Sequence, residues 1–351
     1  MKAVHTQGSP ARTLRSAAQL AAAGLIARSG VTTAEQVGAR YTIAVPPAFA
    51  AHIDPDDPDD PIARQVLPDM RELDQLPEEL TDPIGDDAHS PLPGVTHRYP
   101  DRVLLRPILS CPLYCRFCFR REVVGREAGS LTPAALDAAI EYVRQAPGVR
   151  EVILTGGDPL LLAPRRLADL LGRLAAIAHV ETLRIHSRVP VAAPERIDQA
   201  TLAALRQSKP VWLAVHTNHE RELEGPAAVA IGALVDAGVP LLGQTVLLRG
   251  VNDNPAVLAA LFRRLLALRV KPYYLHHPDL APGTAHFRLS LAEGQAIVRA
   301  LRGRVPGHAL PTYVLDIPGG AGKVPVEAPW VMPDASGFAV TDPQGRQHRY
   351  P

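Results

Sequence analysis

From Arg102 onward the chain alternates short apolar runs with stretches of helical period for roughly 200 residues, and that rhythm leaves few folds open. The apolar runs cover 103–109, 152–155, 182–187, 211–216, 241–248, 272–276 and 312–315. Between them, 132–145, 164–177, 194–206, 226–237, 255–269 and 290–302 read as helices. Strands alternating with helices of this length form βαβ units, because parallel neighbours need a long crossover and that crossover is right-handed. Six βα pairs and one further strand fall short of a closed eight-fold barrel. The expected fold is therefore α/β, a partial (β/α)6 barrel, with a doubly wound open sheet as the alternative. In both, chemistry belongs at the carboxyl ends of the strands.

The chain ahead of this rhythm has a different texture. Residues 1–50 read as helical, and the apolar stretch 17–27 reads as an amphipathic helix rather than a signal peptide. Gln19 interrupts it, Arg28 closes it, and Leu14, Ala18, Ala21 and Leu25 recur at helical spacing. From Asp54 to Pro61 acids alternate with proline, which on composition alone reads as a solvated acidic linker. Ile62, Val66, Leu67 and Leu73 are interspersed after it, enough to lie across a larger domain. With 37 basic and 36 acidic residues the net charge is +1, so nothing draws the whole chain to nucleic acid or to an anionic membrane. No run of about 20 apolar residues is present to span a bilayer. Three cysteines argue for a reducing compartment, and the expected location is the cytoplasm.

Those cysteines, Cys111, Cys115 and Cys118, fall together in the loop after the first core strand. Structural zinc prefers four thiolate or imidazole ligands, and no histidine lies nearby to complete the set. A redox pair would use Cys115 and Cys118 and leave Cys111 without a purpose. Three thiolates fit an iron–sulfur cluster that keeps one iron open to a small molecule. Only four residues are lysine, which makes elimination practicable. Lys2 lies at a terminus, and Lys209 and Lys271 each precede a proline that starts a strand, at the face where barrels keep stability residues. Lys323 alone lies beyond a strand's carboxyl end, after Pro318-Gly319-Gly320-Ala321-Gly322. A nucleotide P-loop is ruled out by Ile317 and Val324, where the pattern requires Gly and Ser or Thr. Two readings of Lys323 remain: a flexible surface loop, or a glycine-bedded amine that holds pyridoxal phosphate (PLP).

The C-x3-C-x2-C spacing resembles that of the radical S-adenosylmethionine (SAM) superfamily, and Gly156-Gly157-Asp158 after the second strand resembles its glycine-rich motif for the SAM amino group. Longer stretches are similar to lysine 2,3-aminomutase: 55–62, 96–102, 115–121, 247–253, 272–274, 286–288 and 316–325, in register from about residue 45 to 330. The resemblance gives the Pro-rich stretch an ordered place in the fold. It implies a [4Fe–4S] cluster on Cys111, Cys115 and Cys118, SAM at Gly156, Gly157, Asp158, His216 and Gln244, and PLP on Lys323 with Arg98 and Arg188 near its phosphate. It also implies Arg120 on the substrate carboxylate, with Asp279 and Asp316 on the side-chain ammonium of lysine.

The implied organisation is an N-terminal region 1–95 packed on the core, a barrel 96–305, and a C-terminal segment 306–351 carrying the PLP lysine. The implied activity is migration of the 2-amino group of L-lysine to C3, giving β-lysine, with an electron donor such as flavodoxin or ferredoxin. Alternatives are another amino acid, a role in elongation factor P modification, or, in a different class, a non-catalytic iron–sulfur or metal-binding protein. The chain departs from the family at its zinc site: there is no fourth cysteine, and Asn254 stands at the core-domain ligand position. Any homo-oligomer is expected to form without that zinc.

Overall fold

The computed structural model describes residues 12–125, 129–327, 329–334 and 337–350. Its main sheet has nine strands in sequential order: β1 (Val95–Tyr99), β2 (Arg102–Ile108), β3 (Glu151–Gly156), β4 (Thr182–Ser187), β5 (Val211–His216), β6 (Leu241–Val246), β7 (Lys271–His276), β8 (Thr312–Ile317) and β9 (Gly322–Pro325). β2 to β8 are all parallel, while β1 and β9 are antiparallel edges. A doubly wound sheet reverses its strand order at a switch point; this one never does, which excludes the open-sheet alternative. The partial α/β barrel is the fold. The remaining strands, β10 (Val331–Asp334), β11 (Gly337–Thr341) and β12 (Gln347–Tyr350), form a separate antiparallel sheet.

The period of two along the strands separates core from chemistry. Val152 and Leu154, Leu183 and Ile185, and Leu213 and Val215 are buried in the main hydrophobic core. Their alternates, Ile153 and Thr155, Arg184 and His186, and Ala214 and His216, line the barrel interior. The crossover helices start on caps readable in the sequence. Thr132 accepts from the Ala135 amide, Asp198 from Thr201, and Ser290 forms a capping box with Glu293. Asn254 caps the helix Pro255–Ala267, its side chain accepting from the Ala256 amide. The stretch expected as one helix over 194–206 is a short turn followed by Gln199–Ala204, because Asp198 caps a new start inside it.

The N-terminal residues form a layer over the barrel. The helix Ala17–Ala22 is shorter than expected and ends before Gly24, which has φ 72°. Its buried face is Leu14, Ala17 and Leu20, not the expected Leu14, Ala18, Ala21 and Leu25. The solvated-linker reading of the acidic stretch is overturned. The Asp60 side chain is fully buried, accepts from the amides of Ile62 (2.9 Å) and Ala63 (2.7 Å), and pairs with Arg221 at 2.8 Å. Ile62 and Val66 then pack with Leu20, Phe49 and Leu113, the last of these within the cysteine loop. Glu72 fastens this layer. Its fully buried carboxylate accepts from Arg116 Nε at 2.9 Å and pairs with the buried Arg121, so it grips the cysteine loop from within and from just beyond. No helix among the described residues is long and apolar enough to cross a membrane.

Removing one member of a buried ion network leaves uncompensated charge at a cost of about 3–5 kcal/mol. Glu72→Gln is therefore predicted to lower unfolding free energy by about 3 kcal/mol in equilibrium denaturation. An unchanged denaturation midpoint would show that the triad does not hold the two layers together.

Candidate active site

A cavity of about 650 Å³ fills the barrel interior toward the carboxyl ends of the strands, and all the sequence-expected site residues line it. They divide into a sulfur end and an amine end.

At the sulfur end the cysteine loop follows β2, and its path is set by two glycines of β3 and the turn after it. A Cβ on Gly157 would stand 2.2 Å from the Ser110 carbonyl oxygen, so only glycine lets the two backbones meet. The amides of Gly157 and Asp158 then bind the carbonyls of Ile108 (2.8 Å) and Ser110 (2.9 Å). Burial, with Asp158 next, raises the Cys111 thiol well above its usual range, and burial with Cys115 next raises Cys118 to about 11. Thiols raised in this way, as at Cys111 and Cys118, ionise beside added positive charge, which iron supplies. Among the described residues no three His, Cys, Asp or Glu are grouped as a single-ion site. The donor set thus fits a multi-iron cluster, with one thiolate per iron, better than zinc.

Two sequence expectations change here. The Asp158 carboxylate accepts from Ser187 Oγ (2.7 Å) and from the amides of Arg188 (2.7 Å), Val189 (3.1 Å) and Leu160 (3.1 Å). With its lone pairs occupied it positions the β3 and β4 loops and is not free to grip a SAM amine. Arg188, expected near the PLP phosphate, instead donates to Cys115 Sγ (2.8 Å), Gln65 (2.6 Å) and Glu222 (3.0 Å). Its guanidinium belongs to the sulfur end, because the residues that neutralise it all gather there.

At the amine end Lys323 sits on β9. Its Nζ pairs with Asp316 and lies 3.3 Å from His276 Nδ1, with the Tyr274 ring 5.6 Å away. The Lys323 amide donates to Tyr99 Oη at 2.9 Å, which joins β9 to the other edge of the sheet. Burial acts to raise Asp316, but His276 and Lys323 outweigh it and hold the carboxyl down at about 2. Asp279 goes the other way: burial, then the Asp316 charge, pushes it up to about 7. Arg98 pairs with Asp86 at 3.1 Å and lies 3.9 Å from Asp316, while Arg120 pairs with the other oxygen of Asp86. His216 and Gln244 stand opposite each other in register on β5 and β6.

The sequence reading missed Asp86, His186 and His276. Asp86 was one acid among many in a Pro-rich stretch; its signal was the preceding Gly85. With φ 67°, Gly85 packs where a Cβ would stand 2.4 Å from the Gly319 backbone, which seats the segment on the glycine bed of Lys323. His186 and His276 could have been found from their places near the carboxyl ends of β4 and β7, comparable to that of His216 on β5.

Comparison with known proteins follows the same division. Residues 105–222 match the Radical SAM superfamily and residues 298–340 match Lysine-2,3-aminomutase. The L-lysine 2,3-aminomutase of Clostridium subterminale is 44% identical over 290 residues, covering 83% of this chain and 70% of that one. The L-lysine 2,3-aminomutase of Methanococcus maripaludis is 41% identical, covering 83% and 68%. The glutamate 2,3-aminomutase of Clostridioides difficile is 37% identical, covering 83% and 69%. Barrel, cysteine loop and superfamily match define a radical SAM enzyme, with a [4Fe–4S] cluster and SAM as its cofactors. The chain belongs to the lysine 2,3-aminomutase family, and is an isomerase that moves an amino group within a small amino acid. Lysine 2,3-aminomutases also use PLP.

Replacing Cys111, Cys115 or Cys118 by Ala is expected to abolish cluster iron and its EPR signal after anaerobic reconstitution. PLP content should be unaffected, since the cysteines take no part in the amine end of the cavity. Stoichiometric zinc in place of iron in the wild-type protein would contradict the cluster assignment.

Proposed function

We propose that this enzyme is a 2,3-aminomutase acting on L-lysine to give β-lysine, with the cluster on Cys111, Cys115 and Cys118 and PLP held by Lys323. The observation that carries the substrate assignment is the pair of carboxyls, Asp279 and Asp316, facing one cavity beside Lys323. The amine-end residues fit PLP as well: an amine on a glycine bed, an arginine beside it for a dianion, and the Tyr274 ring nearby. When bound, the cluster and SAM supply a carbon radical that removes and returns hydrogen, and PLP supplies an orbital system on which the amino group can migrate.

The chain's own residues do the rest. Arg120 receives the substrate carboxylate, and Asp86 fixes its orientation from behind. Arg98, fixed by the other Asp86 oxygen, faces the coenzyme phosphate. Asp316 is already ionised, so a substrate ammonium that replaces Lys323 beside it finds a ready partner. Asp279 completes the pair only after losing its proton, which an incoming cation favours. An unpaired ammonium in this walled cavity would cost several kcal/mol, so amino acids are sorted by their side-chain charge. The walls themselves, mostly apolar toward the helices, keep water from the reacting carbon.

Asp279→Asn and Asp316→Asn are each predicted to lower kcat/KM for L-lysine by about 100-fold, the equivalent of an ion pair lost in a desolvated pocket, with iron and PLP content unchanged. The pH dependence has a definite sign. Below about pH 7 Asp279 carries its proton and above it is charged, while the lysine ammonium stays cationic throughout. KM for lysine should therefore fall as pH rises from about 6 to 8, and the dependence should vanish in Asp279→Asn. An anaerobic assay against all twenty amino acids is the direct test; preference for glutamate or alanine would overturn the substrate and leave the cofactors standing.

A further inference from the structure

Among the titratable groups lining the cavity that the reaction as described leaves without a task, His276 lies nearest the amine of Lys323. His276, on β7, is 14% exposed at its side chain; its Nδ1 lies 3.3 Å from Lys323 Nζ and 3.6 Å from Asp316 Oδ2, and its buried Nε2 has no partner among the described residues. An ammonium has no lone pair, so Lys323 must give up a proton before it can bond to a carbonyl carbon. Two groups are in reach to take it. Asp316, held at about 2, is a poor base and is the proposed partner of the substrate ammonium. We propose that His276 is the proton acceptor for Lys323, taking the ammonium proton on Nδ1 and returning it when the amine is released.

The step balances within the chain. The N–H bond at Nζ breaks and leaves its electron pair there, an N–H bond forms at Nδ1, and nothing is oxidised or reduced. The surroundings suit it. Around His276 stand Lys323, Asp316, Tyr274, His186 and His216. Burial and then the Lys323 charge lower the imidazole, so the ring is neutral and able to accept while Lys323 is charged. As the proton crosses, that repulsion disappears and Asp316 is left beside the new imidazolium. His186 and His216 are both held low by burial, so neither brings charge to the site. Burial pushes the Tyr274 hydroxyl above its ordinary range, which keeps it neutral.

This inference rests on Lys323 holding PLP, and the experiment separates the two. Full-length protein freed of coenzyme is mixed with PLP, the rate of covalent capture is followed by absorbance, and borohydride trapping with peptide mapping locates the label. Capture away from Lys323 in the wild type would overturn the coenzyme assignment itself. With the label on Lys323, His276→Gln and His276→Ala are expected to slow capture about 100-fold, a usual share for a positioned base. The final amount bound should not change. Added imidazole should restore much of the rate in His276→Ala, where truncation leaves a space the size of the lost ring. In the wild type the rate should fall as pH drops through the lowered imidazole range, because the protonated ring cannot accept. A wild-type capture rate in the variants, a slow variant that imidazole does not rescue, or a wild-type profile without the acid limb would each overturn the role of His276.

Discussion

The hydroxyl of Tyr99 accepting the amide hydrogen of Lys323 joins two strands that no backbone ladder connects. Seven parallel strands curl toward closure but do not complete it, and their antiparallel flanks, β1 and β9, face each other across the gap. A side chain reaches farther than a backbone hydrogen bond, so the interior stays wide enough for a cavity of about 650 Å³ where a tighter barrel would be packed with its own side chains. The same contact fixes the backbone of Lys323, whose amine points into the cavity. The seam that keeps the barrel open and the strand that carries Lys323 are therefore a single constraint.

Most charges in and around that space are paired. Asp86 neutralises Arg98 and Arg120 together, Glu222 answers Arg188, and Glu72 answers Arg116 and Arg121. Asp316 is paired with the lysine amine. Asp279 has no such cation of its own, and this is why burial moves it toward neutrality. Asp279 is thus a cavity carboxyl without an ion-pair partner among the described residues.

The features legible in the sequence are those written in short-range spacing. The strand and helix periods led to the parallel barrel, three cysteines within eight residues led to the sulfur end, and scarcity of lysine isolated Lys323. The illegible ones depend on distant partners. Asp60 and Asp86 look like solvated acids until Arg221, Arg98 and Arg120 are brought to them by the fold. Asp158 and Arg188 show the converse: the resemblance directed them to ligands, and the fold also engages one with four donors and the other with Cys115, Gln65 and Glu222. The early helix was misplaced by one face because Gly24 ends it before the periodicity can assert itself.

Gly85 lies against the turn at Gly319 and Gly320 with room for neither a side chain nor a shift of backbone. On a ribosome, the first half of that contact leaves the exit tunnel long before the second half has been translated. The barrel can assemble strand by strand as it emerges, but the bed of Lys323 is complete only when the last strands of the sheet arrive to meet a segment made much earlier. A truncated product that has built most of its barrel therefore still lacks the turn at Gly319 and Gly320 against which Gly85 packs.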